Sequence, residues 1–252
     1  MIELISLSVL ILITLGASLY HRKKMRQRLN TRLLRGIDQL TRLLELIQRI
    51  QRHRGLCANL NGQNNTEQRN LSSEIEPLWN ALLGPDYDGD HNRIRLQHQR
   101  WQQICANPAD SFMSHCLLIE KLLNELTVIA DTCSLTADNT HFDTQRLWQN
   151  LLQRPYFAET LGRLRALGNR AAALGHCPAD IRVQILYQLQ NLKASELFTA
   201  ELEKVSELVQ QEILTPEQIQ IEPRVYFSHM TQAIDDQIQI TRDHLGQLNQ
   251  TV

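Results

Sequence analysis

The apolar residues of this 252-residue chain recur every three or four positions almost from end to end, and no stretch alternates apolar with polar at period two. Leu33, Ile37, Leu40, Leu44 and Ile47 set the pattern, and the leucine-rich run CLLIEKLLNELTVIA (116–130) repeats it. A period near 3.6 is the signature of an amphipathic helix, whereas strands need a period of two. The chain therefore reads as all-α. Composition agrees: Gly and Pro are sparse, aromatics make up 5 % of the chain, and leucine, glutamine, arginine and glutamate dominate. These are residues that lose little freedom in a helix.

Breaks in the pattern divide it into elements. A first helix runs from about 27 to 60 and ends at NGQNN (61–65). Further helices are predicted over about 66–83, 91–106, 111–133, 143–152, 155–174, 178–214 and 223–248. GPDYDGD (84–90) is a loop, Gly175 is a stop, and Pro155 falls at an early helical position where its missing N–H is tolerated. Short connections between helices imply antiparallel, up-and-down bundles, here two packed bundles sharing long helices.

Leu4 to Tyr20 is apolar apart from serine, threonine and glycine, and nearly long enough to span a hydrocarbon core of about 30 Å. HRKKMRQR follows, and basic flanks mark the cytoplasmic side. The expectation is a single-pass anchor with its basic flank at residues 1–30, in a bacterial inner membrane, followed by a cytoplasmic domain at 31–252. That domain carries 21 basic and 26 acidic side chains, a net of −5, which argues against a nucleic-acid partner.

Five cysteines, Cys57, Cys105, Cys116, Cys133 and Cys177, show no paired spacing. Reduced thiols in a reducing compartment are expected, with no disulfide framework and no metal. His91 and His98 share a helix face, but surface histidines account for them. Asp86, Asp88 and Asp90 alternate as calcium ligands do, yet the late bidentate glutamate is missing, so they form an ordinary acidic turn. No nucleophile with its base, no phosphate loop and no carboxylate cluster is legible, so neither an enzyme nor a cofactor is expected.

One arginine stands out. On a wheel at about 100° per residue with Leu40 at zero, Leu33, Leu44, Ile47 and Ala58 fall within roughly 40°. Arg42, Arg49, Arg52 and His53 fall opposite, on the face expected to meet solvent. Arg54 falls inside the apolar arc, with Gln51 one turn before it. A buried guanidinium keeps its charge and needs a partner. The alternatives are a carboxylate from a neighbouring helix, with Glu125 as the nearest choice, and an exchangeable oxyanion held between helices. A carboxylate in bonding reach of Arg54 points to a structural role, and a polar pocket without one to an anion site.

QRHRGL (51–56) resembles the motif that ends the first long helix of nitrate/nitrite-sensing domains and related bacterial helical sensor domains. LLIEKLLNELTVIADTCSLTAD, RPYFAETLGRLRALGNRA and PRVYFSHMTQAIDDQI resemble three later stretches of such domains, in the same order. The resemblance implies a ligand-sensing double bundle that holds nitrate or nitrite between helices by arginines. Matched motif by motif, it assigns the ligand to Arg54, Arg165 and Thr231, with Gln51 beside Arg54. From its place on the wheel alone, Arg165 reads as a salt bridge on a bundle seam, and Thr231 as bonding back to its own helix. One departure bears on nitrate itself: the pattern has a second arginine in the last helix, where this chain has Ala233 within TQAID, and Arg224 lies a full turn or more earlier.

Two functions follow as expectations. The first is a membrane-anchored oxyanion-sensing protein without an output module of its own, signalling through a protein partner or as a homodimer. The second is a ligand-less helical scaffold at the inner membrane.

Overall fold

The computed structural model describes residues 2–57, 65–108, 111–136 and 143–251, with residues 2–14 and 65 described by backbone only. Every regular element among them is helical. The order is α1 (Ile2–Cys57), α2 (Asn65–Leu83), α3 (His91–Ala106), α4 (Phe112–Thr132), α5 (Thr144–Leu147), α6 (Arg154–Leu174), α7 (Ala179–Lys193), α8 (Ala200–Val209) and α9 (Pro223–Thr251).

α1 is the central post. It packs on α2 and α4 on one side and on α6 and α9 on the other, so the two bundles share it. The most extensive pairing is α6 with α9. Being enclosed from several sides, α1 is buried well beyond one stripe: Leu40, Leu43, Leu44, Leu46, Ile47 and Ile50 are all fully inaccessible. Helices from both bundles thus meet at the turn of α1 that carries Gln51 to Cys57.

No interruption separates residues 2–30 from the rest, because α1 runs through them unbroken. Among the described residues no helix is long and apolar enough to cross a membrane. Most of the expected membrane segment falls on residues 2–14, whose side chains lie outside the described set.

The expected end of the first helix near 60 and most of the NGQNN break lie outside the described residues; elsewhere helix boundaries agree with the sequence reading except in two places. The predicted helices 143–152 and 155–174 are one continuous rod, because α5 passes into α6 through a π-helical turn, Trp148–Gln153. Proline is the cause. Arg154 N–H bonds the Gln149 carbonyl, and Pro155 has no N–H to offer Asn150. The Asn150 carbonyl is instead satisfied by the Thr241 hydroxyl of α9 at 2.8 Å. The predicted helix 178–214 is in fact two, α7 and α8. Between them the Ser195 hydroxyl accepts from Leu197 N–H at 3.2 Å, and the Ser195 carbonyl from Phe198 N–H at 3.1 Å. Such local side-chain bonding competes with helix propagation, and Thr199 then restarts the chain from an extended conformation.

Elsewhere the local rules hold. Asp90 caps α3, accepting from Asn92 N–H at 2.8 Å and Arg93 N–H at 3.2 Å. Asp88 accepts from Gln39 of α1, and the Asp86 carbonyl does so too, which makes the acidic turn a clasp on α1. Gly175 ends α6 in the left-handed conformation at φ 72°. All five cysteines are free thiols.

Candidate functional site

Arg54 is 1 % exposed, as the wheel requires. Its partner is a carboxylate, but from α6 rather than α4. Arg54 Nη1 donates to Glu159 Oε1 at 2.6 Å and Nη2 to Glu159 Oε2 at 3.0 Å, a bidentate fork. Gln51 Nε2 donates to Glu159 Oε2 at 2.9 Å, and Arg163 Nε to Oε1 at 2.9 Å. Arg54 Nη1 also reaches Cys116 Sγ at 3.2 Å. Glu159 is the glutamate of the PYFAETLGRLRALG stretch, so two of the motifs meet as an ion pair. Glu125 is occupied elsewhere, with Arg93 at 2.8 Å and the Tyr87 hydroxyl at 3.3 Å. Burial and the Arg93 charge act on it in opposite directions, and burial wins, raising its pKa.

The motif glycines make this possible. A Cβ on Gly162 would stand 2.8 Å from Arg54 Nη2. A Cβ on Gly55 would stand 2.5 Å from Phe227 Cε2 and 3.4 Å from Arg165 Nε. On Gly168 it would land inside the Tyr226 phenol, whose hydroxyl donates to the Leu164 carbonyl at 3.0 Å.

Arg165 is the opposite case. It is 2 % exposed, and no carboxylate forms an ion pair with it among the described residues. Nη1 donates to Thr231 Oγ1 at 2.9 Å, while Nε and Nη2 are buried with no partner. Thr231 passes its own proton back to the Phe227 carbonyl at 2.7 Å. The guanidinium lies over the Phe227 ring, 4.6 Å from its centroid. Burial, then repulsion from Arg54, pushes its pKa down to about 9. At neutral pH it is still a cation, with no carboxylate in ion-pair reach among the described residues; Asp235 and Glu159 act on it only from further away.

Arg165 and Thr231 border a cleft of about 290 Å³ between α1 and α9. Arg49, Arg52, Arg165 and Arg242 line it, against the acids Glu45, Glu74 and Asp235, which leaves a net charge of +1. Most of these charges already have partners. Arg49 is held by Glu45 and Glu74, Arg52 by Glu67, and Asp235 accepts from Gln48. Among the described residues, two lining arginines have no carboxylate in ion-pair reach: Arg242, whose Nη2 donates to Gln48 Oε1 at 2.6 Å, and Arg165, whose Nε and Nη2 have no partner at all.

The four residues expected at a ligand site thus divide into two pairs. Gln51 and Arg54 close on Glu159. Arg165 and Thr231 form a half-satisfied donor group on an open cleft. Arg165 is not the seam salt bridge its wheel position suggests. Ala233 is buried in α9, and the arginines facing the cleft are contributed instead by α1 and by Arg242 further along α9.

His53 was expected on the solvated face but is fully buried, because α4 covers that side of α1. Its Nδ1 lies 2.9 Å from His115 Nε2. Sequence reasoning missed this pair, since a single-stripe wheel cannot anticipate a helix enclosed from several sides. No known protein family, curated protein or solved structure matches the chain.

Proposed function

We propose that this chain is a sensor-type helical bundle that binds a small monovalent oxyanion of the nitrate or nitrite class at Arg165 and Thr231. The observation that carries the reading is the buried Arg165 guanidinium, with Nε and Nη2 unmatched beside a cleft of net charge +1. Buried donors without acceptors cost about 1–3 kcal/mol each, and more when charged. An anion with two acceptor oxygens removes that cost, and the planar guanidinium fork suits planar oxyanions. The resemblance of the QRHRGL and LRALG stretches to nitrate/nitrite-sensing domains supports the same ligand class. In this reading Arg54, Gln51 and Glu159 are the frame that fixes α1 against α6. A ligand bridging α6 and α9 shifts those helices only if the two arrangements bind it unequally. With residues 4–20 as its membrane anchor, the bundle lies on the cytoplasmic side and passes that shift to a protein partner or a second copy.

A second reading rests on Arg54 itself. Its closed pair with Glu159 is what a ligand-less scaffold requires, and there the cleft stays empty.

Thermal unfolding of the full chain in detergent, with and without millimolar nitrate, nitrite or chloride, separates the two. A ligand at 100 times its dissociation constant adds about 2.7 kcal/mol. That is roughly 5–10 °C for a domain of this size. The sensor reading expects an oxyanion-specific rise that disappears in Arg165→Met and survives in Arg224→Gln. The scaffold reading expects no anion to raise the midpoint.

A further inference from the structure

A second polar cluster lies between α1 and α4, apart from the Arg165 cleft. His53 and Cys57 stand one turn apart on α1, and His115 faces them from the first turns of α4. His53 Nδ1 is 2.9 Å from His115 Nε2 and 3.5 Å from Cys57 Sγ. One ligand-capable atom from each of the three residues falls within 4.8 Å of the others. Both imidazoles are fully buried and Cys57 is half-buried.

Hydrogen bonding alone accounts poorly for this cluster. His115 Nδ1–H donates to the Ser111 carbonyl at 2.8 Å, which fixes its tautomer. The lone pair of His115 Nε2 is thereby aimed at His53 and Cys57. His53 must then spend its Nδ1 proton on His115, and its Nε2 is left buried without a partner. A histidine held by a backbone carbonyl through one nitrogen, with the other directed at a second histidine and a thiol, is the usual outer support of a metal ligand.

The separations fit as well. With metal–nitrogen bonds of about 2.0–2.1 Å and a metal–sulfur bond of about 2.3 Å, tetrahedral ligands stand about 3.3 Å (N to N) and 3.6 Å (N to S) apart. The His53–Cys57 distance is already met, the two nitrogens need to part by about 0.4 Å, and His115 Nε2 stands within 4.8 Å of Cys57 Sγ, so closing the site takes a small movement of α4 toward Cys57. Trp101 packs edge-on against His53, 4.8 Å between ring centroids, and shields the cluster from water.

We propose that His53, Cys57 and His115 form a binding site for a single thiophilic metal ion, Cu(I) in preference to Zn(II). Ligand softness admits both ions, since two imidazoles and one thiolate suit either. Net charge separates them. The ligand set carries −1 once Cys57 is a thiolate, so Cu(I) leaves the buried site neutral and Zn(II) leaves it at +1. The nearest charged pair is Arg54 with Glu159; Arg54 touches Cys116, and its carboxylate partner is already spent on that guanidinium, so it is not free to offset an added positive charge at the site. An added buried positive charge there is unfavourable in a low-dielectric interior. On binding, the Cys57 thiol releases one proton to solvent, and the His53 proton moves from Nδ1 to Nε2.

The test is anaerobic titration of the reduced full chain with Cu(I) buffered by a chromophoric bicinchoninate chelator, paralleled by Zn(II) titration. One Cu(I) per chain is expected, with an X-ray absorption shell of two nitrogens and one sulfur. Cys57→Ser and His115→Gln each remove a ligand, so both should weaken binding by about 100-fold or more, beyond the roughly 10–100-fold that losing an outer-shell partner costs. Cys177→Ser should leave it unchanged. Cys57→Ser is near-isosteric and half-exposed, so it keeps the test open if His115→Gln fails to fold. A sulfur-only shell, binding unaffected by Cys57→Ser, or no competition with the chelator overturns the site. Tighter Zn(II) than Cu(I) overturns the metal preference.

Discussion

Two buried arginines should respond to the same substitution with opposite signs. Replacing Arg165 by methionine, in anion-free buffer, is expected to stabilise the protein. Arg165 leaves Nε and Nη2 unmatched, at about 1–3 kcal/mol each, and the desolvation of its charge adds several kcal/mol more. Against this stand the Phe227 ring at 4.6 Å, worth roughly 0.5–2 kcal/mol, and the bond to Thr231, worth about 1.5–3 kcal/mol because its donor is charged. Methionine fills much of the volume and removes the charge. The balance is a gain of about 1–3 kcal/mol, or roughly 2–12 °C in midpoint. Arg54→Met should instead destabilise by about 3 kcal/mol or more, since it strands Glu159, 5 % exposed, with only Arg163 and Gln51. Urea unfolding of the dialysed full chain in a low-ionic-strength zwitterionic buffer, followed by far-ultraviolet circular dichroism, measures both. A loss of more than 1 kcal/mol in anion-free Arg165→Met would refute the claim that this cation lacks a paired counter-charge, and the anion site would fall with it.

Other outcomes follow from the same contacts. Glu159→Gln should cost about 3–5 kcal/mol, because Arg54 is then a fully enclosed cation facing a neutral amide; a urea midpoint within error of the parent would contradict the pairing. Gly168→Ala should cost about 2–4 kcal/mol, since its Cβ collides with the Tyr226 ring, and Tyr226→Leu in the same chain should recover part of it. The metal-free protein should lose stability on mild acidification. Burial holds His53 down at about 4, and burial with the His53 and Arg54 charges holds His115 at about 3, against 6.5 in the unfolded chain. Below pH 6.5 the unfolded state therefore takes up protons that the fold refuses. Stability is full above that pH and falls toward pH 4, by up to about 1.4 kcal/mol per pH unit for each histidine. Urea midpoints at pH 7, 6 and 5 should show it, with a shallower slope in His115→Gln; a flat profile would mean the pair is solvated.

The all-α class, most helix boundaries and the burial of Arg54 were legible in the residues alone. Helix period, capping aspartates and stop glycines act within a few residues, so a linear reading captures them. Asp90 before α3 and Gly175 after α6 behave as their local chemistry requires. The joining of α5 to α6 through Pro155 escaped, because it depends on Thr241 of α9 supplying a donor 91 residues away. The partner of Arg54 and the pairing of His53 with His115 escaped for the same kind of reason. A wheel tells which way a side chain points from its own axis, not which helix stands there. Sequence by itself determined that a cation would be buried near the end of α1. Tertiary packing decided that Glu159 of α6 neutralises it, and that Arg165, 111 residues along, is buried with Nε and Nη2 unmatched. A counter-charge is allotted by the distances between helices, and only the assembled bundles set those.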